Sequence, residues 1–365
     1  MIVSYNGMIM SHGRPNHRVS DCRRHCGWSQ GELAERAGVS RTAVSAIENH
    51  RLVPSVAAAL ALAKALGCSV EELFGRTGDA PPAREWAWPP RLTRGPVRYW
   101  EAEVGGRRLR YPVEPTAAGE AAHDGTWRDD VFHEEPQARA EETLVLACCD
   151  PAAALLATEY ARASRFRLVV LNRSSGESLR LLARGLVHAA GIHLSAVEES
   201  DGNRAVVHEQ LRQHACLLRV AHWQEGVALA PQARVRSVTA ALRSRLTWVG
   251  REPGSGARQC LDELSGSRVR PRRMARDHRG VAEALRCGWA EAGVCLQLAS
   301  EEAGLDFLPV RQEAYDLCYP AAWEAEPRIA ALVQVVRSAT YRRLLGDLPG
   351  YDVTRTGDLQ REQTR

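Results

Sequence analysis

The sequence predicts a multidomain chain in which an all-α bundle precedes a larger α/β domain. Three observations carry this. Residues 16–75 place apolar side chains at helical spacing around one tight turn. Residues 76–96 turn abruptly to proline, in Asp79-Ala80-Pro81-Pro82 and Trp86-Ala87-Trp88-Pro89-Pro90, the composition of a stiff linker. From about Glu142 short apolar runs alternate with helical stretches, the α/β pattern. At 365 residues and 45% hydrophobic content, the chain exceeds one domain and can fill at least one large core.

A first helix is expected over residues 16–27, after a disordered segment at 1–15. Ser29 and Glu32 stand at the spacing of a capping box, so a second helix starts at Gln30. Leu33, Ala34 and Ala37 form its apolar face, and Gly38 suits the left-handed residue that ends it. Ser40 can cap the next helix, with Val44 and Ile47 facing inward. Arg41, Thr42, Ser45, Ala46 and Asn49 then point outward, a mixture of donors, acceptors and small apolar surface suited to base edges in a major groove. Helices over Ser55–Leu66 and Ser69–Phe74 complete the bundle.

Charge agrees with that placement. The net charge of the whole chain is only +4, which predicts no general polyanion-binding surface. Between Arg14 and Lys64, however, eight basic residues face four acidic ones, so the positive excess sits on the bundle. Lys64 is the only lysine, a sign of GC-rich coding more than of binding.

Residues 97–141 are read as a connector built on a hairpin, Val97–Val104 and Arg107–Val113, turning at Gly105-Gly106. A two-residue turn sets Val104 opposite Arg107, Ala102 opposite Leu109 and Trp100 opposite Tyr111. On the other face Glu103 meets Arg108 and Glu101 meets Arg110. Further strands are expected at Thr143–Cys148, Arg167–Leu171, Ile192–Ala196, Ala215–Val220, Leu246–Gly250, Gly293–Gln297 and Asp306–Val310. Helices are expected at Ala152–Arg162, Glu177–Ala190, Gly256–Leu264, Arg279–Trp289, Pro327–Ser338 and Tyr341–Leu345, with a tail at 354–365.

The ten cysteines show neither zinc-finger nor CxxC spacing, and they are read as reduced thiols of a cytoplasmic protein. The first residues lack the layout of a signal peptide, and Met8 and Met10 offer later starts. No apolar run reaches 18 residues, so no membrane span is expected. Three strand ends lead into helix starts with small polar residues: Cys149-Asp150-Pro151, Asn172-Arg173-Ser174-Ser175-Gly176, and the segment from Gly250 through Ser255-Gly256 to Arg258. Strand ends of an open α/β sheet are where ligands bind, and helix N-termini offer N–H groups to anions. The third stretch lacks the ending of a phosphate loop and the order of a nucleophile elbow. No catalytic residues, metal ligands or cofactor are assigned from the sequence.

The segment from Ser29 to Asn49 resembles the helix-turn-helix of the lambda-repressor-like (xenobiotic-response-element type) family, through Ser29-Gln30, Glu32-Leu33-Ala34, Ala37-Gly38-Val39-Ser40, Val44-Ser45 and Ile47-Glu48-Asn49. The resemblance implies base contacts from Arg41, Thr42, Ser45 and Ala46 and phosphate contacts from Gln30, Asn49 and Arg51, and Ser40 is counted with them among the DNA-binding residues. Residues 142–353 resemble the periplasmic-binding-protein-like (molybdate-binding-protein type) domain, a type II-like two-lobed fold found fused to such regulators. The match runs through Leu146–Pro151, Arg173-Ser174-Ser175, Leu182–Leu194, Arg251–Arg258, Asp277-His278, Gly304–Phe307, Glu313–Leu317 and Gly350-Tyr351-Asp352. It implies two lobes joined by strands crossing near Trp223–Leu229 and Pro309–Leu317, closing on a ligand.

Ser174, Ser175 and Ser255 are implied to line that cleft, with Gly256 in the same loop and Asp150, His193, His278 and Tyr315 nearby. Cys148, Ala257 and Asp277 depart from the family's pattern, and losing a hydroxyl while gaining a carboxylate disfavours a bare oxyanion. Arg251 and Arg258 can offset Asp277 or bind a carboxylate. The expected whole is a one-component transcriptional regulator that binds double-stranded DNA as a homodimer and senses an oxyanion such as molybdate, or a small organic acid. The alternative is a DNA-binding protein whose C-terminal domain is an enzyme or a ligand-free dimerisation scaffold.

Overall fold

The computed structural model describes residues 19–49, 51–68, 70–74, 85–91, 95–114, 122–128, 131–135, 139–194, 202–211, 214–266 and 268–361. The expected disorder at 1–15 lies outside them. The chain divides into two compact units after residue 83.

The first unit is helical: α1 (Val19–His25), α2 (Gln30–Ala37), α3 (Arg41–Glu48), α4 (Val56–Leu66) and α5 (Val70–Phe74). The capping box forms, with Glu32 N–H donating to Ser29 Oγ and Ser29 N–H to Glu32 Oε2 at 2.7 Å. Gly38 ends α2 at φ 64°, and Ser40 caps α3 through Ala43 N–H. Val19, Leu33, Val44, Ile47, Leu62 and Leu73 form the core, each at most 1% exposed. Beneath α3 the Arg23 guanidinium holds both oxygens of Glu48. Burial works against the Glu48 carboxylate, but that arginine and the Gln30 amide keep it below the usual range.

The second unit opens with a five-stranded sheet of β1 (Glu85–Trp86), β2 (Val97–Val104), β3 (Arg107–Pro112), β4 (Gly125–Arg128) and β5 (Val131–Glu134), in the order β1-β3-β2-β4-β5. The hairpin register is the expected one in all five pairs. Two expectations are corrected. Arg108 bonds to Glu101 rather than Glu103, because Glu101 lies in the buried interior where Arg110 also needs a counter-charge. Glu85–Trp86, expected in the linker, forms an edge strand whose indole joins a cluster with Tyr99, Trp127 and Phe132. The sheet lays Trp100, Ala102, Val104, Leu109 and Tyr111 on Val145, Leu171 and Leu186, and Tyr111 donates to the Leu186 carbonyl at 2.7 Å.

The remainder is a two-lobed α/β domain. Lobe 1 begins with β6 (Thr143–Cys148), α6 (Ala153–Ala163), β7 (Arg167–Asn172), α7 (Ser175–Ala183), β8 (Ala189–Ile192) and α8 (Gly202–Gln210). The 15-residue strand β9 (Ala215–Leu229) then carries the chain into lobe 2. That lobe holds α9 (Val238–Arg243), β10 (Trp248–Gly250), α10 (Gly256–Ser265), β11 (Arg273–Met274), α11 (His278–Arg286), β12 (Ala292–Leu296) and α12 (Gln297–Glu302). A second 15-residue strand, β13 (Asp306–Pro320), returns to lobe 1. There α13 (Pro327–Arg337), α14 (Ala339–Gly346), β14 (Tyr351–Asp352) and β15 (Leu359–Arg361) finish the fold.

The long sheet runs β11-β10-β12-β9-β13-β8-β6-β7, with β14 and β15 also paired to β9. The crossing pair β9 and β13 is far longer than the two short strands expected, and its register shifts at Pro309/Arg311 and Tyr315/Asp316. The expected helix Glu177–Ala190 stops at Ala183, and the strand expected at Ile192–Ala196 is Ala189–Ile192. Small residues there read as helix, but they answer to crowding. A Cβ on Gly191 would lie 2.5 Å from Cys148 Cβ and 2.6 Å from the Tyr315 hydroxyl. Among the described residues no helix is long and apolar enough to cross a membrane.

Candidate functional site

Two surfaces carry the residues singled out by sequence, one in each unit. In the first unit Ser40, Arg41, Thr42 and Asn49 are exposed on or beside α3, Ser45 and Ala46 are half-buried, and Arg51 is exposed just beyond. Ser40 Oγ accepts from Ala43 N–H and shares a 3.0 Å bond with Thr42 Oγ1. The Asn49 amide donates to the Ser45 carbonyl at 2.7 Å, which closes the end of the helix. The Gln30 amide donates to Glu48 at 2.8 Å and so sits against the acidic anchor of α3. Leu52, Val53, Val56 and Leu60 form an apolar stretch from 46% to 78% exposed on the same unit.

In the second unit the polar groups converge where β9 and β13 cross between the lobes. Asp150 follows β6 and is buried; its Oδ1 accepts from Ala152 N–H at 2.8 Å and Tyr351 O–H at 2.6 Å. Burial pushes its carboxyl up, against those two bonds. Ser174 caps α7 by backbone only, and Ser175 Oγ accepts from His193 N–H at 3.1 Å. His193, just beyond β8, directs Nδ1 to Glu313 Oε2 at 2.7 Å and Nε2 to Cys149 Sγ at 3.0 Å. Burial works to lower the His193 pKa, but Cys149 and Glu313 together raise it well above an ordinary imidazole. Trp223 Nε1 donates to the same Glu313 oxygen at 3.2 Å, and its ring stacks on Tyr315 at 4.3 Å.

Lobe 2 supplies the facing wall. Arg251, 1% exposed, leans on Glu252 through Nε, while its Nη1 has no hydrogen-bond partner among the described residues. Ser255 caps α10, accepting from Arg258 N–H and donating to the Glu252 carbonyl. Asp277 caps α11 through Gly280 N–H at 2.7 Å, and the first residue of that helix is His278, fully buried. Its ring centre lies 5.5 Å from that of His193, and neither of its nitrogens has a partner among the described residues. Burial, then the charges of Arg251 and His193, hold its pKa well below the ordinary value, so the ring is neutral. Arg258 turns along its own helix to Asp262 at 2.8 Å, so the structure does not bring it to the cluster.

The lobes meet in a closed arrangement. Gly176 N–H donates to the Gly254 carbonyl at 3.2 Å, the Asn172 amide bonds Asp277, and Arg279 reaches the Pro151 carbonyl at 3.3 Å. Gly256 sits so near His193 that a Cβ would lie 2.5 Å from both its ring and its carbonyl oxygen. Behind this seam Arg311 stands between two buried carboxylates, 2.6 Å from Glu313 and 3.2 Å from Glu225. Burial and the neighbouring Glu313 charge push the Glu225 carboxyl up to about 8, so it holds a proton at neutral pH.

Sequence reasoning missed Cys149, Trp223, Glu225 and Glu313 as members of this cluster. Cys149 carried a signal, since it stands beside Asp150 at a strand end. The other three lie inside the crossing strands, and nothing local marks them.

The helix-turn-helix family matches residues 19–73, and a family described as a PBP superfamily domain matches residues 157–337. The uncharacterized protein YvgK of Bacillus subtilis is 27% identical over 197 residues, covering 51% of this chain and 63% of YvgK. The chain thus spans less than two thirds of that relative's length. An uncharacterized HTH-type transcriptional regulator of the same organism, YgzD, is 40% identical over 58 residues, 16% of this chain and 88% of YgzD. Among solved structures, an ABC-type phosphate transport receptor from Vibrio cholerae has a TM-score of 0.42 and 11% identity over 57% of this chain and 99% of that one. The chain belongs to the helix-turn-helix family, and it joins that domain to a PBP-like domain.

Proposed function

We propose that this protein is a one-component transcriptional regulator that binds operator DNA through α3 and senses a small ligand between the lobes of its C-terminal domain. The observation that carries the reading is a cluster of buried polar side chains at a seam closed by backbone contacts, in a chain that also has an exposed recognition helix. Ligand binding would favour the closed lobes, and the differential affinity for closed over open would set the size of the signal. Arg41, Thr42, Ser45 and Ala46 read bases in this account, Ser40 caps the helix that carries them, and Gln30, Asn49 and Arg51 position the backbone. The exposed stretch from Leu52 to Leu60 supports a homodimer, whose two heads would meet half-sites about one helical turn apart.

The ligand is a small oxyanion or a small organic acid. Asp150, Ser174, Ser175, His193, Arg251, Ser255, Gly256, Asp277, His278 and Tyr315 are the residues proposed to hold it, with Arg258 reaching it only by leaving Asp262. Molybdate is the oxyanion that the family resemblance favours; the carboxylates of Asp150 and Asp277 count against it. A second reading, an enzyme in the same cleft, has one observation in its favour. Cys149, His193 and Glu313 stand in the order of a nucleophile, a base and an orienting carboxylate. Turnover of any small metabolite would establish that reading.

Two measurements test the regulator. Arg41→Ala should lose about 1–3 kcal/mol of discrimination among operator sequences for each base contact removed. Unchanged discrimination would overturn the assignment of α3. Thermal melting with molybdate, tungstate, sulfate, phosphate and small carboxylates should rise for the true ligand, by about 2.7 kcal/mol of stability at 100 times its Kd.

A further inference from the structure

We propose that Cys149, His193 and His278 form a binding site for a thiophilic divalent metal ion of the zinc class, which ties one lobe to the other. The inference rests on the reading of the interlobe seam as the ligand site, and it adds to that site an ion to which the small anion would bind. One ligand atom from each of the three residues lies within 4.8 Å of the others, and all three side chains are buried. A tetrahedral zinc centre, with Zn–S of about 2.3 Å and Zn–N of about 2.0–2.1 Å, sets its ligand atoms about 3.3–3.6 Å apart. The Cys149 Sγ to His193 Nε2 distance of 3.0 Å already falls near that spacing.

The second observation is His278. Its ring is fully buried, and both nitrogens lack any hydrogen-bond partner among the described residues. Buried polar atoms are nearly always met, so an imidazole left open on both sides beside a thiol and a second imidazole points to a group that completes it. The third is the bracing of His193. Its Nδ1 is held by Glu313, which Trp223 holds in turn, leaving Nε2 aimed at the thiol. A carboxylate on the far nitrogen is how metal-ligating histidines are usually oriented.

The set is one sulfur and two imidazole nitrogens, donors that suit zinc and not magnesium or calcium. On binding, the protons on Cys149 Sγ and His193 Nε2 leave to solvent as the S–metal and N–metal bonds form, while the His193 Nδ1–H stays bonded to Glu313. Cys149 and His193 belong to lobe 1 and His278 to lobe 2, so the ion would be complete only in the closed form. Three protein ligands leave a fourth position for water or a small anion, and the unpartnered Nη1 of Arg251 near His278 favours an anion.

The test is zinc alone, added to the full chain in competition with a chromophoric chelator. One ion should bind tightly, and Cys149→Ser and His278→Gln should each weaken it beyond the about 10–100-fold that Glu313→Gln costs as an outer partner. Cys26→Ser, an exposed thiol in the first unit, should leave binding unchanged. Cobalt in place of zinc should give the intense visible absorption of a four-coordinate site and a thiolate-to-metal band. That spectrum of the unaltered protein decides even where a variant fails to fold. Absence of stoichiometric zinc binding, or a six-coordinate cobalt spectrum without the thiolate band, overturns the site. If zinc does not bind but an oxyanion or carboxylate raises the melting temperature, the metal falls and the sensing cleft stands. If the cobalt signature forms while operator affinity is unmoved by zinc alone or by zinc with each anion of the melting series, the metal stands and the sensing reading falls.

Discussion

Replacing Gly256 with alanine tests whether the lobes close against the polar cluster as one body. The added methyl would lie 2.5 Å from the His193 ring and from its carbonyl oxygen, where ordinary contacts begin at 3.4 Å. The carbonyl belongs to the backbone beyond β8 and cannot swing aside, so the seam must open by about 1 Å. That opening breaks the Gly176 to Gly254 bond and the Asn172 to Asp277 bond. At about 0.5–1.5 kcal/mol net for each, the closed form loses about 1–3 kcal/mol, a shift of about 5- to 150-fold in the open-to-closed ratio. Hydrogen exchange at the Gly176 amide reads that ratio without any ligand, and it should accelerate by the same factor. Alanine is the better helix former at the start of α10, so a loss cannot be blamed on the helix itself. Unchanged exchange at Gly176 in a folded Gly256→Ala protein would refute the argument.

Two further outcomes follow from buried groups, one in lobe 1 and one in the five-stranded sheet beside it. His188 accepts from Val145 N–H at 2.9 Å and donates to the Glu103 carbonyl at 2.9 Å, and burial, with help from Arg328, holds its pKa down to about 3. A histidine depressed from 6.5 contributes its full stability above pH 6.5 and loses it as pH falls toward 3. About 2 kcal/mol should therefore be gone at pH 5. Urea unfolding at pH 7 and pH 5 should show that extra slope in the unaltered protein and not in His188→Gln; equal slopes would remove His188 as its source. Glu101→Ala takes from the buried Arg110 its 3.0 Å carboxylate partner, while the longer 3.4 Å pair with Glu134 remains, and should cost up to about 3–5 kcal/mol in the same assay. Glu103→Ala should stay within about 0.5 kcal/mol, and a large loss there would restore the Glu103–Arg108 pairing.

What could be read from the sequence was what short stretches decide by themselves. Ser29 and Glu32 meet within one turn, so the start of α2 needed no tertiary information. Gly105-Gly106 fixed the pairing of β2 and β3 because a two-residue turn leaves one register. The choice of partner for Arg108 was different. Both glutamates were within reach, and only the burial of Glu101, on the face of the hairpin turned away from lobe 1, decides between them. The strand β8 was placed three residues late because Ala189-Ala190 read as helix and Gly191 is there to make room for Cys148 and Tyr315. The polar cluster was legible in part: Asp150, Ser175, His193, Arg251 and His278 lie at strand ends and helix starts. Glu313 joins His193 across 120 residues of sequence, and a carboxylate in the middle of a long strand gives no local sign of such a partner.

The path of the chain through the two lobes has a consequence for its synthesis. Lobe 2 is threaded between the two halves of lobe 1, whose core joins Leu144 and Leu156 to Leu317, Leu332 and Tyr341. Asp150 waits for Tyr351, 201 residues later, before its carboxylate is fully held. The bundle of residues 19–74 has its own core and emerges from the ribosome before the later domain, which depends on pairings that close only once its last strands are made. A growing chain therefore carries a finished helical bundle for most of the time in which its two-lobed domain is still unbuilt.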